Sequence, residues 1–420
     1  MFVLGLLILI AGLLVSVALH ELGHMVPAKK FGAIVPEYWI GFGPTVWETR
    51  KGGTTYGVKA LPLGGYVRIL GMFPPSSGEP VLKPDGSPTL AQAARDETEA
   101  ELRRARDGGM QGKAFYELTT PHKLVVMFGG PVMNLFLAVL LLAIVIMGIG
   151  WSVPSTRIDE VVPATTTASS PAAEAGLQAG DRILSWNGTE IQTWEDFTTR
   201  VQAGDGPAEI VVDRGGSPVT VTVTPAVRED GSRYIGVRSA LERERGSVGD
   251  VASMVGTNLV MTGQAIVALP VNLFTLTRSL FTGEERDPTG VISIVGIARL
   301  AGDITAAPGD SGDPSSAGSG LPAGLSVLDR VALLLSLIGS LNLALFAFNL
   351  IPLPPLDGGH IVGALWGGMR NAWARMRGKP LPPPADTARM VPLSYAVFGV
   401  LMVMTVILVA ADLVSPITFA

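Results

Sequence analysis

Cysteine is absent from all 420 residues, which excludes disulfide scaffolds, thiolate-held metals and a cysteine nucleophile. Histidine is scarce, with 4 in the chain, so any imidazole site must be assembled from very few residues. Charged residues are only 16% against 48% hydrophobic, with mean hydropathy +0.41, a balance that points to a polytopic membrane protein with one or two soluble parts. The net charge of −5 leaves no basic footprint for nucleic acid. No serine stands in a motif with a base beside it, so no acyl-enzyme route offers itself. The N-terminus lacks a basic n-region and a clear small-residue cleavage site. The first apolar stretch therefore reads as a retained span rather than a signal peptide.

Within that frame, residues 2–19 carry no charge and end on His20-Glu21-Leu22-Gly23-His24. Histidines four apart share one face of a helix, a turn apart, where two imidazoles can hold zinc. Glu21 beside them can act as general base. A carboxylate at membrane depth costs roughly 2.5–3.5 kcal/mol on insertion scales, so such a residue marks a function by default. Far along the chain, Asn349-Leu350-Ile351-Pro352-Leu353-Pro354-Pro355-Leu356-Asp357-Gly358-Gly359-His360 closes another apolar segment. Its prolines break the helix before Asp357, and its glycines admit close backbone approach. Catalytic zinc takes three protein donors and leaves one position open, and Asp357 supplies the third. His360 is a rival donor, with Asp357 preferred and His360 assigned a supporting hydrogen bond. His122, between Pro121 and Lys123, reads as an interfacial residue without a role.

Four spans are expected, near residues 2–24, 124–150, 331–353 and 391–414. Lys29 and Lys30 follow the first. Arg103, Arg104, Arg106, Lys113 and Lys123 precede the second, and Arg370, Arg375, Arg377, Lys379 and Arg389 follow the third. Positive charge marks the cytoplasmic side, so the N-terminus lies outside, loop 25–123 inside, 151–330 outside, 358–390 inside and the C-terminus outside. A helix from residue 2 reaches His20 after about 27 Å, near the inner boundary of a ~30 Å core, and the third span delivers Asp357 to that same side. Residues 251–277 hold no Lys or Arg. Thr257, Asn258, Thr262, Gln264 and Asn272 make them a poor span and Pro270 interrupts them, so they are expected as an amphipathic helix on the outer leaflet.

The cytoplasmic loop 25–123 divides into a glycine- and aromatic-rich part (about 38–72) and a polar insert (73–115). The first reads as a membrane-associated β-hairpin turning at Lys51-Gly52-Gly53, with an edge able to hold a substrate extended. The insert carries a charged helix at Gln92 to Arg106. Residues 155–227 alternate strand and turn signals, and Ala175-Gly176-Leu177-Gln178-Ala179-Gly180-Asp181-Arg182-Ile183-Leu184 followed by Trp186-Asn187-Gly188 resembles a PDZ domain. Such a domain implies a groove for a peptide C-terminus; the plainer reading is a small β domain that only caps the membrane part. Residues 228–330 hold the amphipathic helix and, at 305–326, a Gly/Ser/Pro/Ala-rich flexible linker. The third span with its ligand occupies 331–360, and 361–390 is a cytoplasmic segment.

Taken together, His20-Glu21-x-x-His24, Gly41-Phe42-Gly43-Pro44, Leu61-Pro62-x-Gly64-Gly65-Tyr66, Gly130-Pro131-x-x-Asn134, the PDZ run and Asn349 to Gly359 resemble the site-2 protease family of intramembrane zinc metalloproteases, RseP-like. The resemblance covers nearly the whole chain. It implies an α-helical polytopic membrane protein with a membrane-associated β-hairpin and an extracytoplasmic PDZ-like domain, in a bacterial cell (inner) membrane, with its active site near the cytoplasmic side. It implies zinc on His20, His24 and Asp357, Glu21 as catalytic base and Asn349 near the scissile peptide. The implied substrates are single-span membrane proteins, often an anti-sigma factor already trimmed outside. This chain has one PDZ run where some relatives carry two. Two other classes compete: a metal or proton transporter, which the lack of an inverted repeat disfavours, and a non-catalytic PDZ adaptor, which the intact Glu21 disfavours.

Overall fold

The computed structural model describes residues 2–75, 80–163, 170–228, 231–282, 293–306 and 326–414. Contacts divide the chain into two units, Met1–Val145 with Ser247–Ala420, and Ile146–Gly246.

The first unit is built on helix α1 (Phe2–Lys30), apolar for five turns and closed by Lys29 and Lys30 at its carbonyl end. Strands β1 (Glu37–Lys51) and β2 (Thr54–Arg68) form a hairpin that curls back on itself. Glu37 faces both Thr55 and Arg68, and Ile40 faces both Val58 and Gly65. Residues 37–40 are therefore central, and 65–68 form an edge. The bends fall at Gly41 (φ 87°) and Gly64 (φ 92°), a conformation that L side chains avoid. Tyr38 pins this sheet to α1 by donating its hydroxyl to the Ala18 carbonyl at 2.8 Å.

Helix α2 (Leu90–Asp107) is capped by Thr89, whose hydroxyl accepts the Gln92 N–H. Leu102 of α2 packs with Ile34, Leu70 and Ala114, and Arg95 makes two hydrogen bonds to Asp386. Helix α3 (Thr120–Ala143) continues as a wider turn through Ile149. It crosses α1 at Gly23 and Gly129, where a Cβ on either residue would strike the other's carbonyl, a small-residue contact of the kind that joins membrane helices.

The second unit is a sheet of its own. In chain order it holds β3 (Trp151–Val161), α4 (Pro171–Glu174), β4 (Arg182–Trp186), β5 (Thr189–Glu190), α5 (Trp194–Ala203), β6 (Ala208–Arg214), β7 (Ser217–Val223), β8 (Ala226–Val227), β9 (Arg233–Tyr234) and β10 (Val237–Glu244). The strand order of the main sheet is β10-β3-β4-β6-β7, with β5 paired to β4, while β8 and β9 form a separate two-stranded pair. Ile158, Ile183, Ile210, Val212 and Val223 point inward at period two and meet Phe197 of α5 in one core. Asp181, buried at the start of β4, accepts two hydrogen bonds from Arg214 at 2.8 and 2.7 Å. Burial alone would push its carboxyl up, but Arg214 and the Gln178 N–H hold it below the usual carboxylate range. The sheet extends past 155–227, because β10, placed among the outer linker by sequence, supplies an edge strand. Its Val237-Arg238-Ser239-Ala240-Leu241 stretch carries a charge that hides the alternation.

Back in the first unit, α6 (Val248–Thr282) is followed by α7 (Ile294–Ala306), α8 (Val327–Asn349), α9 (Asp357–Met376) and α10 (Val391–Val414). Among the described residues, five helices are long and apolar enough to cross a membrane, one more than the four spans expected, the addition being Val248–Arg278. That segment is a single unbroken helix of 35 residues with Pro270 inside it, not one interrupted there. Nearby hydroxyls occupy the helix's own carbonyls: Thr275 Oγ1 donates to Val271 and Asn272, and Thr277 Oγ1 to Leu273.

The first three turns of α1 pack on α7 and α8 through Leu9, Ala301, Ile304, Leu334 and Ile338. The buried Asp412 of α10 accepts the N–H groups of Ser293 and Gly296, capping α7. Asn342 of α8 donates to Ser16 of α1 at 2.9 Å. The linker expected at 305–326 lies outside the described residues except at its ends.

Candidate metal centre

Helix α1 presents His20 and His24 on one face, a turn apart. His24 Nδ1 lies 2.7 Å from the Val126 carbonyl oxygen of α3. That nitrogen must carry the proton to donate, which leaves Nε2 bare and turned inward. His20 Nδ1 is 3.1 Å from the side-chain amide of Asn134. The Asn134 Oδ1 is otherwise buried without a partner, so the consistent orientation turns that oxygen toward His20 Nδ1–H. Both rings then face the same gap with bare Nε2 atoms.

Asp357 closes the gap from the other half of the chain. It is the first residue of α9, reached from α8 through Pro352, Pro354 and Pro355. Gly358 and Gly359 sit so tightly against Ile351, Leu353 and Pro354 that a Cβ on either would collide with backbone. Asp357 Oδ2 stands 3.4 Å from His20 Nε2 and 3.3 Å from His24 Nε2, and the two Nε2 atoms are 3.2 Å apart. Donors about 2.0–2.2 Å from a tetrahedral zinc ion stand about 3.3–3.5 Å from each other, so the three separations fit one ion. Asp357 Oδ2 is also buried with no hydrogen-bond partner, an oxygen whose desolvation is otherwise uncompensated. A Cβ on Gly130 would fall onto His24 Nε2 and crowd His20, so the gap exists because that residue has no side chain. The residues present fit zinc.

Glu21 opens onto the same cavity, of about 430 Å³, as His20, His24, Asp357 and His360. Its Oε2 accepts the Val67 N–H at 2.9 Å, from the edge of the curled hairpin. Since Val67 faces Tyr38 across β1, strand alternation puts the Gly65 amide on the same open edge. Helix α2 lines one side of the cavity with Ala94, Glu97, Thr98 and Glu101, at helical spacing. Arg68 holds Glu101 there by an ion pair.

The sequence-predicted residues divide as follows. His20, His24 and Asp357 converge, and Glu21 stands at their cavity. His360 lines the cavity but is not among the converging donors. Asn349 ends α8, half-buried, and is not among the lining residues. His122 stacks on Phe31, with ring centroids 4.0 Å apart. Asn134 entered the sequence reading only as part of Gly130-Pro131-x-x-Asn134, with no function given to it, and Val126 and Val67 did not enter it. Two act through backbone atoms, which carry no side-chain signal; for Asn134 the signal was its place in that motif.

The model of Peptidase family M50 matches residues 8–381 of the chain. The zinc metalloprotease Rip1 of Mycobacterium tuberculosis is 32% identical over 99% of this chain and 99% of its own length. The probable protease eep of Enterococcus faecalis is 28% identical over 97% of each chain. The metalloprotease MmpA of Caulobacter vibrioides is 29% identical over 86% of each. Among solved structures, the PDZ domain of an SdrC-like protein from Listeria monocytogenes matches 20% of this chain and 84% of its own, at 21% identity and a TM-score of 0.16.

Proposed function

The chain belongs to Peptidase family M50, the site-2 proteases, and on that footing we propose that this multi-pass membrane zinc metalloprotease cuts single-span membrane proteins within the bilayer. The observation that carries the proposal is the convergence of His20, His24 and Asp357 beside Glu21. His20 Nε2, His24 Nε2 and Asp357 Oδ2 would hold the zinc. Zinc supplies a water that loses its proton near neutral pH and polarises a carbonyl.

The chain's own residues do the rest. Glu21 takes the proton from the attacking water and delivers it to the leaving amine. The Val67 N–H orients the Glu21 carboxylate for that transfer. The open edge at Gly65 holds the substrate extended, which exposes a peptide bond that a helix would shield. Asn134 and the Val126 carbonyl keep both histidines in the donor tautomer.

The substrate favoured by the family is an anti-sigma factor already trimmed outside, with its new C-terminus offered to the PDZ-like unit. Lysine and arginine flanks support loop 25–123 and segment 358–390 on the cytoplasmic side of the inner membrane and the PDZ-like unit outside. For Asp357 to meet the histidines, the chain between α3 and α8 must cross an even number of times. Helix α7, with 13 residues, spans about 18 Å, short of a ~30 Å core. The parity supports α6 and α7 entering and leaving from the outer side, so that four helices make full crossings.

The test is cleavage of a model single-span peptide by detergent-purified protein, paired with zinc content. Cleavage by wild type alone, with zinc kept in Glu21→Gln and depleted in Asp357→Ala, is expected. Full zinc with no cleavage of any trimmed candidate would move the reading to an adaptor or transporter, and an active Glu21→Gln would remove the assigned base.

A further inference from the structure

Helix α9 begins at Asp357 and has two unlike faces. In the first turn Gly358 and Gly359 are buried; beyond it one face is packed, where Ile361, Ala364 and Ala374 are buried and a Cβ on Gly368 would crowd the Thr120 side chain. The other is apolar and open. Trp366 is 57% exposed, Met369 59%, Trp373 56% and Met376 75%, with Val362 and Leu365 beside them. At 3.6 residues per turn these six side chains fall within an arc of about 100°, a continuous stripe.

The charge around the stripe has one sign. From 358 to 385 the chain carries Arg370, Arg375, Arg377 and Lys379 and no carboxylate. Arg370 and Arg377 border the stripe on the helix surface, and the Arg377 guanidinium stacks 4.3 Å from the centre of the Trp373 ring. None of these four cations has an ion pair among the described residues; the nearest acid in sequence, Asp386, is engaged by Arg95 and Arg389. The helix lies in the chain between α8 and α10, both apolar enough to span, which holds it at a membrane boundary. Tryptophan and arginine on an apolar helical stripe match the chemistry of the headgroup layer, where rings sit at the acyl boundary and cations meet phosphates.

We propose that the exposed face of α9 is a seat for anionic lipid headgroups. Trp366, Met369 and Trp373 enter the acyl boundary, while Arg370, Arg377 and Lys379 engage lipid phosphates. Because Asp357 is the first residue of this helix, the lipid seat also steadies the element that brings the third donor to the histidines.

The experiment uses the full chain in phosphatidylcholine vesicles containing about one quarter phosphatidylglycerol, with acyl-chain bromine on one lipid or the other at equal bromine content. The fluorescence due to α9 is the difference between the parent and Trp366→Phe/Trp373→Phe. Quenching of that component by brominated phosphatidylglycerol should exceed quenching by brominated phosphatidylcholine by about twofold or more. The excess should vanish in Arg370→Gln/Arg377→Gln/Lys379→Gln. Equal quenching by both lipids, or an excess that survives the three substitutions, overturns the proposal. Absence of quenching by either lipid also overturns it, and assigns the face to a protein partner.

Discussion

Replacing Val67 with proline isolates one hydrogen bond. The Val67 N–H leaves the hairpin edge and reaches Glu21 Oε2 at 2.9 Å, so it takes no part in the ladder with β1. Proline removes that N–H at a position where an edge strand tolerates it. A hydrogen bond to a charged acceptor contributes about 1.5–3 kcal/mol. At about 1.4 kcal/mol per decade, kcat/KM for a model single-span substrate should fall roughly tenfold to 150-fold. Zinc content should not change, because Glu21 is not among the converging donors. Val67→Ala keeps the N–H and should stay within about threefold of the parent. Continuous kinetics on both variants, with metal analysis and hydrogen exchange over the hairpin, decide the matter. Parental activity in Val67→Pro, or an equal loss in Val67→Ala, would refute the claim that this amide orients the base.

Gly130→Ala places a methyl group on His24 Nε2, so zinc per protein should drop to background while helix content by circular dichroism is kept. Stoichiometric zinc would show that the gap is not set by that glycine. Asp386→Ala leaves the Arg95 guanidinium, 5% exposed, without its carboxylate. Because Asp386 itself is a third exposed, the loss should sit at the low end of roughly 3–5 kcal/mol, read as faster proteolysis at α2. Asp181 titrates below its unfolded value of about 3.9, so its contribution is present above that pH and is lost as pH falls through the lower folded value. Hydrogen exchange over residues 151–244 should accelerate as pH is lowered toward 3, after correction for intrinsic rates. Asp181→Asn should raise exchange at neutral pH and flatten that acid response; a wild-type-like pH profile would sink the assignment.

Periodicity alone determined a good deal here. His20 and His24 had to share a helix face, because four residues make about one turn. The apolar lengths marked four of the five long apolar helices among the described residues, and inward positions at period two marked the core strands of the second unit. Other features depended on atoms distant in sequence. Whether Asp357 or His360 meets the imidazoles turns on how the start of α9 is aimed after three prolines, and three residues of helix rotate a side chain by about 300°. The Val67 and Val126 contacts are backbone groups, available to any residue type, so only the meeting of hairpin, α1 and α3 could reveal them. Pro270 looked like an interruption, yet α6 runs through it as one helix. The hairpin's second edge arose because Gly41 and Gly64 let the sheet fold across itself. Local pattern thus named the candidate donors, while close helix approach at Gly129 and Gly130 decided that their lone pairs converge on a space the size of one ion.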